Sequence, residues 1–163
     1  MYSSFAVWND RDINDLKIIG SCLEELHGRL IFIGYNASAQ VKRFENFHKR
    51  HKGGRDAWLA KTIGVNPIFR GAYLTDFFKG DFASRENSVM VNKIIIAKNK
   101  KILEEEIGIL GPAKHVLVAV GKKAEKILND CGFQCERIPH YAGHISFKEF
   151  RIAINALEKK MNQ

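Results

Sequence analysis

Apolar residues recur at three- and four-residue intervals across residues 13–27 (Ile13, Leu16, Ile18, Ile19, Cys22, Leu23, Leu26), the spacing of one helix face. Asp12 or Asn14 is placed to cap the start, and Gly28 stands where a left-handed residue commonly ends a helix. The pattern then changes. Arg29-Leu30-Ile31-Phe32-Ile33-Gly34 is a continuous apolar, β-branched run, the kind that a parallel sheet buries on both faces. Similar runs are Ala72–Phe78 and Lys114–Gly121, with a weaker one at Phe133–Pro139. Helical patterns separate them, over Asp56 to Ile63, Val89 to Leu110 and Lys122 to Asp130. A last amphipathic helix spans residues 147–160 (Phe147, Phe150, Ile152, Ala153, Ala156, Leu157). Strands alternating with helices imply βαβ crossovers and helices on both sheet faces. The predicted fold is α/β: one domain over residues 1–163, a three-layer α/β/α sandwich around a central, mainly parallel, four-stranded sheet.

Composition fits this picture. With 163 residues, 45% hydrophobic and 27% charged, the chain has the size and make-up of one globular domain. No apolar run approaches the roughly 18–20 residues of a membrane helix, and the first residues lack the layout of a signal peptide, so no membrane partner is expected. Cys22, Cys131 and Cys135 are an odd number without a C-x-x-C pair. That excludes a disulfide framework and a four-cysteine zinc or iron–sulfur site within this chain, and points to a reducing cytoplasm. A cytoplasmic monomer is expected, without metal or organic cofactor. The formal charge of +8 favours a polyanionic partner.

Ligands of open parallel sheets bind beyond the carboxyl ends of the strands. The first strand leads into Gly34-Tyr35-Asn36-Ala37-Ser38, where a glycine lets the backbone turn sharply and Asn36 projects an amide. The second ends in Thr75-Asp76, a carboxylate beside an aromatic pair. The fourth leads into Pro139-His140-Tyr141-Ala142-Gly143-His144-Ile145-Ser146, a loop with two imidazoles. Each alone is ordinary turn chemistry. At successive strand ends of one sheet they converge on one cleft.

A basic segment lies between the first two strands. Lys42, Arg43, Lys49, Arg50, Lys52 and Arg55 are interleaved with Phe44, Phe47, His48 and His51, so cations for phosphates alternate with rings that stack on bases. The partner it fits is DNA. His48-x-x-His51 has no carboxylate beside it, and zinc is not expected there. Lys98–Lys101 precede Glu104–Glu106 at the spacing of a self-paired helix face. Gly121-Lys122-Lys123 is too short for a Walker loop but is placed to touch phosphate. Cys131 and Cys135 read as packing residues.

The succession of strand-Gly34-Tyr35-Asn36-Ala37-Ser38, Tyr73-Leu74-Thr75-Asp76, Val116–Gly121 before a helix, and Pro139-His140 resembles the uracil-DNA glycosylase superfamily across about residues 29–160. The resemblance implies a DNA glycosylase that hydrolyses the N-glycosidic bond of uracil or a related damaged base. It gives Asn36 the role of positioning the attacking water, and His140 that of stabilising the departing base at O2. It places Gly34, Tyr35, Ser38 and Asp76 against the substrate; by position, Phe47 is a candidate for stacking on the base and Ile145 for wedging into the space it leaves, each with core packing as its alternative. Ala37-Ser38 stands where the family has Pro-Gly, and Tyr141-Ala142 where it has Pro-Ser. His144 is therefore a second candidate for the working imidazole. Asp76 replaces the asparagine that reads the uracil edge. Ionised, it only accepts hydrogen bonds and suits an amino-bearing edge; protonated, it imitates asparagine. The same sequence also fits a non-catalytic nucleic-acid-binding module of this fold, or a hydrolase or transferase of small nucleotides.

Overall fold

Five strands form one sheet in a computed structural model that describes residues 3–8, 18–36, 55–79 and 91–163. They are β1 (Ser3–Phe5), β2 (His27–Asn36), β3 (Ala72–Phe78), β4 (Val116–Val120) and β5 (Glu136–Ile138), in the order β1-β3-β2-β4-β5. β3, β2, β4 and β5 are parallel, and β1 runs antiparallel along β3. The predicted four-stranded sheet is thus corrected to five. A three-residue edge strand carries no readable alternation. It is fixed by pairing with Tyr73–Thr75 and by two flanking bonds, Ala6 N–H to the Ala72 carbonyl (2.8 Å) and Gly71 N–H to the Ala6 carbonyl (3.0 Å).

The helices are α1 (Ile18–Ser21), α2 (Asp56–Thr62), α3 (Lys93–Ile109), α4 (Lys122–Asp130) and α5 (Phe147–Met161). The helix predicted over residues 13–27 is corrected in its described part. α1 is one turn, a 3₁₀ turn follows at Leu23–Glu25, and β2 begins at His27. Long-range bonds override the periodicity here: Arg70 donates to the Glu25 carboxylate, and His27 N–H donates to the Gly71 carbonyl at 2.9 Å. Gly28 therefore sits inside β2 and ends no helix. The Leu110 Cβ lies 2.8 Å from where a side chain on residue 28 would begin.

β2 is continuously apolar because helices cover both its faces. Leu30 and Phe32 join Leu59 and Ala60 of α2 and Phe150, Ile154 and Leu157 of α5. Ile31 and Ile33 join Leu103 of α3 and Ala124, Ile127 and Leu128 of α4. The result is three layers. Local signals set the helix starts. Asn92 accepts from Ile95 N–H at 2.9 Å ahead of α3, and a capping box of Ser146 and Glu149 opens α5.

The charge run of α3 pairs along the helix as its spacing predicts, Lys100 with Glu104 (3.8 Å) and Lys101 with Glu105 (3.9 Å). Glu106 instead turns inward. Its Oε2 accepts from the Lys79 ammonium (2.6 Å) and the Thr75 hydroxyl (3.0 Å), while the Lys79 backbone N–H donates to Asn99 Oδ1 (2.9 Å). This polar network fastens α3 to the carboxyl end of β3.

From β2 the chain crosses to β3 on one side and later to β4 on the other. Crossovers reverse between β2 and β4, which places a ligand crevice beyond the carboxyl ends of those two strands. No helix among the described residues is long and apolar enough to cross a membrane.

Candidate functional site

Strand alternation puts Gly34 and Asn36 on the α2/α5 side of the sheet, continuing the row of Leu30 and Phe32. Asp76 continues the row of Ala72 and Leu74 on the neighbouring strand, and it pairs with Gly34. The Asp76 carboxylate fills this pairing. Its Oδ1 occupies the volume that a Cβ on residue 34 would need. Gly34 is therefore glycine because of its neighbour, and the sharp turn expected there is absent: β2 runs on to Asn36. With strands about 4.8 Å apart and a rise of about 3.3 Å per residue, Asn36 and Asp76 have Cα atoms about 8 Å apart. One base with an attacking water spans that distance.

Tyr35, expected against the substrate, faces the other way. Its ring meets Phe78 edge-on at 5.1 Å, and Lys123 Nζ of α4 lies 5.9 Å from its centroid. Period-two alternation dictates this reversal, because residues 34 and 36 occupy the opposite face. Tyr35 is thus corrected from a substrate contact to a packing residue of the α3/α4 side.

At the end of β4, Gly121 has φ +98°, and its N–H donates to the Ile138 carbonyl at 2.8 Å. A Cβ there would stand 3.0 Å from His140 Cβ, so glycine is required both by the left-handed backbone and by the close approach of His140. His140 Nδ1 accepts from Ala142 N–H at 3.1 Å. The neutral ring consequently carries its proton on Nε2, as a hydrogen-bond donor. The imidazole stacks on Tyr141 with centroids 4.9 Å apart and planes 16° from parallel. Between the β4–α4 turn and the β5–α5 loop is a cavity of about 350 Å³, lined by Gly121, Lys122, His140, Gly143, His144 and Ile145 among others. Both candidate imidazoles therefore border one cavity. Ile145 is half-buried and packs against the core under α2 and α5, which anchors it at the rim.

No protein-family model matches this chain, and no curated protein matches it. The arrangement of its residues carries the functional argument.

Tyr141 and Asp56, to which the sequence reading assigned no role, meet beside His140. Tyr141 packs against the α2/α5-side core, and its hydroxyl is hydrogen-bonded to Asp56, the first residue of α2. Burial, then the charges of Asp56 and Asp76, push the phenol well above its ordinary value, so it stays protonated. An acidic residue in a first helical turn is ordinary, and 85 positions separate Asp56 from Tyr141 in sequence (141 less 56). Nothing local signals their meeting.

Arg55 is the described member of the basic segment. It donates to the Gly143 carbonyl, and its guanidinium carbon lies 5.1 Å from the centroid of the Trp58 ring. It thus ties the start of α2 to the loop carrying both histidines. Lys42, Arg43, Lys49, Arg50 and Lys52, with Ser38 and Phe47, lie outside the described residues. Burial raises the Cys131 and Cys135 thiols above their ordinary value, leaving them protonated and poorly nucleophilic. Among the described residues, no group of three or more His, Cys, Asp or Glu side chains is arranged to hold a metal ion.

Proposed function

We propose that this protein is a DNA glycosylase-like hydrolase with a divergent uracil-DNA glycosylase-type fold, acting on a base extruded from DNA into the crevice beyond β2 and β4. One observation carries the reading. Asn36 and Asp76 share a sheet face on one side of the switch point, and His140, with a donor Nε2–H, follows β5 on the other. β5 lies two strand spacings, about 10 Å, from β2.

In the reaction, the bond between the sugar C1′ and the base nitrogen breaks, and its electron pair leaves with the base. Water oxygen bonds to C1′, and the proton it releases ends on the base or in solvent. Positive charge grows on the sugar and negative charge on the base. Donors aimed at the base lower that barrier most when they are already in place. The Nε2–H of His140 supplies such a donor without adding a formal charge in the resting state. The Asn36 amide is not basic enough to deprotonate water, so its contribution is orientation. Lys122 and His144 at the cavity rim are placed for the flanking phosphates, in keeping with the net charge of +8.

The test is incubation with end-labelled oligonucleotides carrying uracil, a thymine mismatch, hypoxanthine or ethenocytosine, followed by alkaline cleavage at abasic sites. Excision of at least one base is expected, with Asn36→Ala slowing it by about 10²-fold or more while DNA binding survives. Salt-dependent DNA binding without excision of any base would overturn the catalytic reading and leave a nucleic-acid-binding module.

A further inference from the structure

The end of the basic segment and the histidine loop meet at one side chain. We propose that Arg55, which the sequence groups with the phosphate-binding cations, is instead a positioning residue. It holds the loop that carries His140 in the conformation that fixes the imidazole with its proton on Nε2. The proposal rests on the reading that this Nε2–H serves the departing base.

The guanidinium is bracketed between a ring and a carbonyl. Its carbon lies 5.1 Å from the centroid of Trp58, and that ring packs against Phe147 (5.5 Å) and Phe150 (6.1 Å) of α5. Although exposed, the cation thus rests on an indole anchored by the helix that follows the loop. From there Arg55 Nη1 donates to the Gly143 carbonyl. A charged donor makes a bond roughly twice as strong as a neutral one, and a stacked, planar guanidinium loses little freedom in making it.

Gly143 passes this hold to His140. Its carbonyl also accepts from Ile145 N–H at 2.9 Å, and its own N–H donates to the His140 carbonyl at 2.9 Å. The preceding N–H, that of Ala142, donates to His140 Nδ1 at 3.1 Å and leaves the ring proton on Nε2. The guanidinium is therefore two hydrogen bonds from His140, and it is the partner that comes from another element. A Cβ on residue 143 would stand 3.1 Å from the His140 carbonyl oxygen, so glycine permits the close approach. Glycine also has the most backbone freedom to lose, which is where an outside anchor contributes most. His140, Gly143, His144 and Ile145 border the cavity, whereas Arg55 lies outside its described lining. Arg55 acts on a ligand there through the loop. A phosphate contact would add to DNA affinity and to its salt dependence, while a positioning contact adds to the rate.

The test compares Arg55→Met, which keeps an unbranched stem over Trp58 and removes every donor, with Arg55→Lys, which restores a cationic donor. Both are made in the full chain and checked for an unchanged melting profile. In the free protein, long-range ¹H–¹⁵N spectra show which His140 nitrogen carries the proton, and amide exchange reports the Ala142 and Gly143 bonds. In Arg55→Met the ring resonances should move toward the average of the two tautomers. Its Ala142 and Gly143 amides should exchange at least about tenfold faster, and Arg55→Lys should return both readouts toward the parent. On an oligonucleotide that the parent excises, Arg55→Met should lower kcat by about 10- to 10²-fold and leave the salt slope of binding unchanged. A parent-like His140 spectrum with parent-like amide exchange in Arg55→Met would overturn the proposal. So would unmoved loop signals with a salt slope shallower by about 0.9, which returns Arg55 to the phosphates. The spectra need no turnover. A parent that excises nothing overturns the glycosylase reading, and the spectra still decide whether Arg55 positions His140.

Discussion

Replacing Lys79 with methionine tests the polar network that fastens α3 to the end of β3. The Lys79 side chain is 1% exposed and that of Glu106 17%, and their charged atoms are 2.6 Å apart. Removing the ammonium leaves the Glu106 carboxylate mostly buried, with the Thr75 hydroxyl at 3.0 Å as its remaining donor in this network. Breaking one side of a buried pair typically costs about 3–5 kcal/mol, because the surviving charge keeps its desolvation penalty without its partner. A domain of this size has about 5–15 kcal/mol in total. Lys79→Met should therefore lower the melting temperature by about 6–20 °C, at about 2–4 °C per kcal/mol. Urea titration followed by far-UV circular dichroism should show the midpoint falling with an unchanged slope. The double variant Lys79→Met, Glu106→Leu removes both charges and should recover most of the loss, giving a coupling energy of at least about 2 kcal/mol. A single variant costing under about 1 kcal/mol, with no coupling in the cycle, would refute the reasoning. The network would then behave as a solvated surface pair. Lys79 and Glu106 lie on the α3/α4 side, opposite Asp76, so the proposed DNA binding should be unchanged in the folded fraction of the variant.

Gly34→Ala should cost about 1–3 kcal/mol in denaturant titrations, since the new methyl displaces the Asp76 carboxylate; adding Asp76→Ala should recover that stability, and no cost in the single variant would show the two are not in contact. Stability should also fall in acid in two stages. His27, held below its ordinary 6.5 by burial, binds a proton first in the unfolded chain, so its contribution is complete above pH 6.5 and is lost as pH falls toward its folded value. Glu25, held below its ordinary 4.5 by the hydrogen bond from Arg70, adds a second loss as pH falls through its lowered value. His27→Gln should flatten the first stage, at most about 1.4 kcal/mol per pH unit, and leave the second; an unchanged slope between pH 5 and 6.5 would refute the assignment.

The elements legible in the sequence are those whose packing is decided by their own pattern. β3 and α4 fall at the predicted Ala72–Phe78 and Lys122–Asp130, one buried on both faces and the other carrying a clean apolar stripe. α5 is legible because Ser146 and Glu149 form its cap locally. The elements that escaped depend on distant partners. β1 is three residues long and exists through its pairing with β3. The turn at Leu23–Glu25 replaces a helix because Arg70 holds Glu25 and Gly71 holds His27, both far along the chain. Periodicity reports a segment's preference, and a few long-range bonds outweigh it where the preference is weak.

The site follows the same rule with a sharper consequence. The places of Asn36, Asp76 and His140 at or just beyond the carboxyl ends of parallel strands were legible because they follow from the strand pattern whatever the loops do. Gly34 was legible as a special position, yet for a different reason from the one it has. Its missing side chain makes room for Asp76, so the two residues form one unit across the β2–β3 pair. A side chain at 34 would force the Asp76 carboxylate to move from its place in this geometry. The Gly-x-Asn segment of β2 and the Thr-Asp end of β3 are thereby coupled through the contact of the Asp76 carboxylate with Gly34. The residue that departs most from a uracil-reading motif is also the one that the neighbouring strand is shaped to receive. The place of Asp76 is therefore a property of the β2–β3 pair as a unit, and a change at either position 34 or position 76 is felt at the other.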